Sequence, residues 1–228
     1  MRKKAVALIM AVFMLAAMYF LAKEAATYTI SQRTEEKYVV VIDVGHGGND
    51  PGKVGVNQIL EKDINLQVAL KLETFLQQSD LTVILTRRED MGLYDEGASN
   101  KKVQDMRRRI ELIQEADADL VVSIHQNSYS DGAVRGPQCF YYRDSEEGQR
   151  AALILQEQLN NGLEVERPRE AKANDSYYLL KKSTVPTIIA ECGFLSNREE
   201  ALLLDSEAYQ EKLAWNLYLG ILKYFNTD

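Results

Sequence analysis

The strongest constraint on the fold is a short apolar run that ends in a glycine-rich turn. Val39 to Val44 is almost entirely β-branched, and Gly45-His46-Gly47-Gly48 follows it directly. A second run, Leu120 to Ile124, also ends in a histidine, His125, and the chain has only these two histidines. Short apolar runs bounded by turn residues are typical of buried strands in an α/β sheet. Both histidines are therefore predicted to lie at the sheet edge where ligands bind in such folds.

The body of the chain alternates between predicted strands and helices. Strands are predicted at residues 38–44, 81–86, 120–124, 138–142 and 187–190. Helices are predicted at residues 60–78, 103–115, 146–161 and 206–225, and polar or glycine-rich loops separate them. This interleaving predicts one α/β domain with a mostly parallel, mixed and twisted sheet of about six strands flanked by helices. An N-terminal apolar helix precedes that domain.

The N-terminus has the pattern of a targeting or anchoring segment. Arg2-Lys3-Lys4 precedes Ala5 to Ala22, a run of 18 residues without charge. A run of about 18 can just span a bilayer, whereas a secretory signal usually has an apolar region of about 7–15 residues. Residues 1–22 are thus expected to be a signal peptide or a transmembrane anchor. Residues 23–37 are predicted to be a linker, and residues 38–228 the folded body of the chain.

The charge pattern bears on location and on partners. The basic residues before the apolar run predict that the rest of the chain is exported. Without Arg2, Lys3 and Lys4 the chain keeps 24 basic and 34 acidic residues, a net charge of −10. Nucleic-acid binding depends on a basic footprint, so this acidic body gives no support for it.

A third candidate ligand would complete a metal site with the two histidines. Catalytic zinc is usually held by three His and Asp/Glu ligands, with a fourth position open. Glu61 is the best candidate for the third ligand, because it lies where the glycine-rich loop after His46 enters the first helix of the body. The alternative is that Glu61 only places an acid favourably in the first turn of that helix.

Glu191 is the candidate catalytic acid or base. It ends the apolar run Pro186 to Ala190, and an acid after a buried strand needs either a partner or a function. Beside a zinc ion it would take the proton from a metal-bound water, whose pKa the metal lowers to about 7. The alternative is a salt bridge to a basic residue such as Arg109.

Several spaced segments, in this order, resemble the zinc-dependent N-acetylmuramoyl-L-alanine amidases of the type 3 class. They are Val41 to Gly52, Glu61 to Leu66, Leu85 to Arg87, Arg109, Leu120 to Asn127, and Val185 to Asn197. The resemblance implies one zinc ion per chain on His46, Glu61 and His125, with Glu191 in catalysis. The implied reaction is hydrolysis of the amide between N-acetylmuramic acid and L-alanine in peptidoglycan. Another zinc hydrolase of the wall, a peptidase or deacetylase, is the alternative, followed by a non-catalytic wall-binding protein.

The short chain with one N-terminal apolar segment looks like the germination-specific amidases of endospore formers. That resemblance implies action on spore-cortex peptidoglycan, as a step toward muramic δ-lactam, and a role in germination. The expected location is extracytoplasmic, either membrane-anchored or secreted, including the intermembrane space of the forespore. Amidases of this family can need a partner, so an activating protein is a further expectation.

Four other residues carry weaker expectations. Asn127 and Arg135 follow the His125 strand and are candidates for contacting the peptide stem, although Asn127 equally fits a loop cap. Cys139 and Cys192 are each predicted to lie on or at the end of a strand. Buried free thiols are favoured for this pair, and a disulfide is the alternative in an exported chain.

Overall fold

The structure is a computed structural model, and it describes residues 2–33 and 38–227. The chain divides into two units, with the boundary between residues 37 and 38. The first unit contains one helix, α1 (Arg2–Arg33), which includes the N-terminal apolar run and continues into the segment predicted to be a linker. Residues 34–37 of that predicted linker lie outside the described residues. Within the described parts of the chain, no helix has the length and apolar character needed to cross a membrane.

The second unit is an α/β domain built on one sheet. Its strands are β1 (Val39–Val44), β2 (Thr82–Leu85), β3 (Leu120–Asn127), β4 (Gln138–Tyr141), β5 (Lys172–Ala173) and β6 (Thr187–Phe194). Its helices are α2 (Glu61–Leu76), α3 (Lys101–Glu115), α4 (Glu146–Gly162), α5 (Tyr178–Lys182), α6 (Arg198–Leu204) and α7 (Glu207–Asn226). The strand order is β2-β1-β3-β6-β4-β5, and every neighbouring pair is parallel except β4 with β6. The predicted fold class, a mixed and mostly parallel sheet flanked by helices, is confirmed.

The three central strands end at the same edge of the sheet. Val44 of β1 pairs with Ile124 of β3, and His125 of β3 pairs with Glu191 of β6. Because these strands are parallel and adjacent, the residues that follow β1 and those at the ends of β3 and β6 lie side by side. The polar residues of the predicted site lie at this edge.

Alternate residues of each central strand pack against different helical layers, as the two-residue period of a strand requires. Ile42 belongs to the larger core, which the helices α2, α4 and α7 complete with residues such as Leu72, Leu155 and Leu217. Val41 faces the smaller core on the opposite side, beneath α3 and α5. The sheet is therefore covered on both faces, which explains why its central strands are apolar at nearly every position.

Some boundaries differ from those predicted. Strands β3 and β6 continue past their predicted ends at residues 124 and 190, to Asn127 and Phe194. Their polar C-terminal residues stay in the ladder because strand pairing uses backbone groups and is indifferent to side-chain polarity. The short elements β5 and α6 lie in segments predicted to be a loop and a turn, and α5 lies in a segment for which no element was predicted. Two to seven residues are too few to show a recognisable hydrophobic period.

The two cysteines are confirmed as buried free thiols. Cys139 is in β4 and Cys192 is in β6, and neither forms a disulfide. Both belong to the larger hydrophobic core. Burial raises the pKa of Cys139 to about 12, so this thiol stays protonated and behaves as a small apolar side chain.

Replacement of Leu72 by alanine tests the packing of α2 on the sheet. Leu72 is fully buried in the larger core, so Leu72→Ala should lower the free energy of unfolding by about 2–5 kcal/mol. Urea unfolding followed by circular dichroism measures the change. Leu202→Ala on α6 is the matched control, because Leu202 is 57% exposed, and it should change stability by less than about 0.5 kcal/mol. Equal effects of the two substitutions would contradict this packing.

Candidate metal centre

Three side chains from separate parts of the chain converge at the sheet edge. His46 follows β1, Glu61 is the first residue of α2, and His125 lies in β3. One ligand atom from each residue lies within 4.8 Å of the others. The Oε1 atom of Glu61 is 3.2 Å from Nε2 of His46 and 2.9 Å from Nδ1 of His125. Two imidazole nitrogens and a carboxylate oxygen form the donor set of a catalytic zinc site, so these residues fit that metal.

The backbone at His46 is held in an uncommon conformation. His46 has φ of +60°, and the next residue, Gly47, has φ of +135°. These values place both residues in the left-handed half of conformational space, which non-glycine residues seldom adopt. The turn allows the chain to leave β1 sharply and to direct the imidazole toward the sheet edge.

Two glycines allow the ligand side chains to approach the backbone closely. A Cβ atom on Gly45 would lie 2.5 Å from Nε2 of His125, and one on Gly52 would lie 2.5 Å from Oε2 of Glu61. Real Cβ atoms essentially never make non-bonded contacts this short. The ligand positions therefore require glycine at residues 45 and 52. The glycines of this loop therefore serve the site as well as the turn.

Asp50 is a site residue that the sequence analysis missed. Its Oδ2 atom lies 3.0 Å from Nδ1 of His46. Burial lowers the pKa of His46, but the hydrogen bonds with Asp50 and Glu61 outweigh it and raise that pKa to about 9. Carboxylates that hold the second nitrogen of a ligand histidine fix its orientation. Asp50 comes four residues after His46 in the sequence, and this spacing could have indicated the contact.

Glu61 is held by backbone amides as well as by the histidines. The N–H of Lys53 donates to its Oε2 atom at 2.7 Å, and the N–H of Gln126 donates to Oε1 at 3.1 Å. Burial raises the pKa of this carboxyl, but the hydrogen bonds with His125 and His46 outweigh burial and lower it. Glu61 is consequently ionised, which is the state that binds a metal.

Glu191 lies beside this cluster, and one oxygen of its carboxyl group lacks a hydrogen-bond partner among the described residues. Burial raises its pKa to about 7, and the charge of Glu61 adds to that effect, while His125 and His46 oppose it. Its Oε2 atom is buried and has no hydrogen-bond partner among the described residues. The alternative salt bridge with Arg109 is wrong, because Arg109 pairs with Asp43 at 2.7 Å and with Asp105 at 2.6 Å. Glu191 is thus available for proton transfer.

A cavity of about 780 Å³ opens at the sheet edge over these residues. His46, Glu61, His125 and Glu191 all line it, and so does Asn127, the last residue of β3. The structure does not bring Arg135 to this cavity. Its loop turns toward α6, where Arg135 pairs with the exposed Glu199 at 3.2 Å and lines a separate cavity.

The comparison with known proteins identifies the family. Residues 40–223 match the family model described as Amidase_3, N-acetylmuramoyl-L-alanine amidase. The chain belongs to this family. It is an N-acetylmuramoyl-L-alanine amidase, which confirms the resemblance seen in its motifs. The matched region contains the metal-site residues and Glu191.

Individual relatives cover most of this amidase. The germination-specific N-acetylmuramoyl-L-alanine amidase of Bacillus subtilis is 40% identical over 190 residues, covering 82% of this chain and 79% of the relative. The CwlD amidase of Clostridioides difficile, solved in complex with the GerS lipoprotein, is 39% identical with a TM-score of 0.82, covering 84% of this chain and 100% of that one. The amidase AmiC2 of Nostoc punctiforme is 31% identical with a TM-score of 0.74, covering 84% and 98%.

Asp50→Asn tests the contact that orients His46. Loss of the negative charge should weaken Zn²⁺ binding by about 10–100-fold, because a neutral amide holds the imidazole less strongly and does not increase its basicity. Competition with a chromophoric chelator measures the dissociation constant. Asp175→Asn is the control, since Asp175 pairs with Arg143 on the surface and should leave Zn²⁺ binding unchanged. Unchanged affinity in Asp50→Asn would refute this role for Asp50.

Proposed function

We propose that this amidase works with one zinc ion per chain, held by His46, Glu61 and His125. The observation that supports this is the convergence of these three side chains beside Glu191, whose pKa is raised to about 7 and whose Oε2 atom has no hydrogen-bond partner among the described residues. When bound, zinc supplies a Lewis acid that polarises the substrate carbonyl and lowers the pKa of water to about 7. The bond that breaks joins the lactyl group of N-acetylmuramic acid to L-alanine.

Glu191 moves the proton in this proposal. With a pKa of about 7 it can accept a proton from the attacking water and release it again near neutral pH. The accepted proton passes to the nitrogen of the leaving L-alanine, so Glu191 ends the cycle ionised. Its position opposite His125 in the β3–β6 ladder supports this role, because the pairing fixes the carboxylate next to the metal ligands.

The substrate is peptidoglycan, and the cavity supports binding of its peptide stem. Asn127 lies in the cavity wall next to the metal ligands, and we assign its side chain to contact with the stem. Among the described residues, this side chain hydrogen-bonds through Oδ1, which accepts from the N–H of Ser128 at 2.8 Å, so its Nδ2 group is available for the stem. Arg135 has no part in this contact, because it lines a separate cavity.

We also propose that this amidase acts in spore-cortex maturation. The support is similarity to a germination-specific amidase of Bacillus subtilis at 40% identity. Removal of the peptide leaves a bare muramic acid, from which a muramic δ-lactam can form. We propose that this amidase supplies that bare sugar in the cortex and so contributes to germination.

The same similarity supports a location and a partner for this chain. A cell-wall amidase acts outside the cytoplasm, and we propose that residues 1–22 direct export as a signal peptide or as an anchor. If the chain acts in cortex formation, export would bring it to the intermembrane space of the forespore, and we propose this location. The CwlD structure was solved with the GerS lipoprotein, which supports a protein partner for this chain as well.

Digestion of purified peptidoglycan tests the reaction. The full-length protein with Zn²⁺ should release free stem peptides that carry an N-terminal L-alanine, and mass spectrometry of the soluble fraction identifies them. A chelator should abolish release, and added Zn²⁺ should restore it. Shortened peptides would indicate a peptidase, and loss of acetyl groups a deacetylase. Binding to the wall without any product, also with a lipoprotein partner present, would indicate a non-catalytic protein.

Glu191→Gln is the matched variant for this assay. It should bind one Zn²⁺ per chain as the wild type does, while turnover falls by a factor of about 10²–10⁴, because the amide cannot accept the proton. The measurements are zinc content and the rate of peptide release. Turnover near the wild-type rate would show that another group is the base.

The cortex role is tested in an endospore former that lacks its own germination-specific amidase. Expression of this chain during sporulation should restore muramic δ-lactam in the cortex and restore germination. Chromatography of digested cortex measures the lactam. Glu191→Gln is the inactive control. An enzyme that digests peptidoglycan in vitro yet restores no lactam would contradict the cortex role and leave the amidase assignment intact.

A further inference from the structure

Two buried arginines near the metal site have no part in the reaction described above. Arg87 follows β2 in the loop toward α3, and Arg109 lies in α3. Arg87 is 3% exposed and Arg109 is 2% exposed. Burial of a guanidinium is costly unless its donors are satisfied, so the contacts of these two side chains show what they stabilise.

Both guanidiniums bind the backbone at the end of β1. The carbonyl oxygen of Val44 accepts from Nε of Arg87 at 3.2 Å and from a terminal nitrogen of Arg109 at 2.7 Å. The carbonyl oxygen of Gly45 accepts from Arg87 at 3.1 Å. The carbonyl oxygen of His46 accepts from Arg87 at 2.7 Å and from Arg109 at 2.8 Å. The arginines therefore hold three consecutive carbonyl groups. The last of these belongs to His46, the residue with φ of +60°.

Arg87 also connects this turn to the helix that carries the second metal ligand. One of its terminal nitrogens donates to the carbonyl oxygen of Lys62 at 2.8 Å. Lys62 directly follows Glu61 in the first turn of α2. One planar guanidinium thus fixes the distance between the backbone segments that present His46 and Glu61.

The charges around the two arginines explain how they can be buried here. Arg109 is balanced by Asp43 and Asp105. Within the described residues, Arg87 makes no salt bridge, and its hydrogen bonds go to backbone carbonyls. A fork with five donors suits this arrangement, whereas the single ammonium of a lysine cannot reach all of the carbonyls.

We propose that Arg87, assisted by Arg109, is a positioning residue that holds the left-handed turn at His46 in register with Glu61, and so forms the metal site before the metal binds. The inference rests on the proposed zinc-dependent function. Neither arginine touches the substrate or the ion in this role. The competing explanation is that the two arginines contribute only to the stability of the fold.

Arg87→Lys separates these explanations in the full-length protein. The proposal predicts that Zn²⁺ affinity falls by at least about tenfold, as is usual when the support of a ligand is lost. The absorption spectrum of bound Co²⁺, which reports ligand geometry, should change in intensity. Arg88→Lys is the neighbouring control, because Arg88 is exposed and pairs with Glu73 on α2. It should leave both measurements at wild-type values.

The outcomes distinguish failure of this inference from failure of the proposed function. Wild-type protein that binds no Zn²⁺ overturns both. An Arg87→Lys protein that is less stable in urea, yet binds Zn²⁺ and Co²⁺ as the wild type does, overturns only the positioning role. If Arg87→Lys does not fold, nuclear magnetic resonance of the metal-free wild type decides. The Nε–H of Arg87 should exchange slowly with solvent, and rapid exchange would show that the turn is not formed without metal.

Discussion

Parallel pairing of β1, β3 and β6 is the constraint on which the candidate site depends. The register that joins Val44 to Ile124 and His125 to Glu191 brings three strand ends to one edge. Backbone hydrogen bonds fix this register, and burial of both faces of the sheet opposes a slip, because a shift by one residue would move the side chains of each core to the opposite face, where they do not match the packing. The positions of His46, His125 and Glu191 relative to one another therefore follow from the core of the protein.

Two carboxylates of the same residue type have opposite electrostatic roles at this edge. Glu61 accepts hydrogen bonds from two backbone amides and lies against two imidazoles, and its pKa is lowered. Glu191 is buried with one oxygen unpartnered, and its pKa is raised to about 7. Divergent pKa values in neighbouring carboxyls are a usual sign of separate tasks. Here the ionised Glu61 carboxylate suits a metal ligand, and Glu191, with a pKa of about 7, suits proton transfer.

The residues around the candidate ligands hold them in defined positions. His46 adopts its left-handed conformation between two contacts, the Asp50 carboxylate on its ring and the arginines on its carbonyl oxygen. Gly45 and Gly52 provide the space that the ligand side chains need. A cavity lies over these residues, so the contacts that hold them come from the protein side.

The fold class, the candidate metal ligands and the family were predictable from the sequence alone. Apolar runs that end in polar residues are local signals, and the spacing of His46, Glu61, His125 and Glu191 is visible in the printed chain. The sequence did not show the short elements β5, α5 and α6, since they contain too few residues for a period. It also did not show the hydrogen bond of Asp50 to His46 or the exclusion of Arg135 from the cavity. The pairing of Arg109 with Asp43, and the absence of a hydrogen-bond partner for Oε2 of Glu191 among the described residues, are visible only in the folded protein. The residues concerned are distant along the chain, and their contacts depend on the packing of α3 against the sheet.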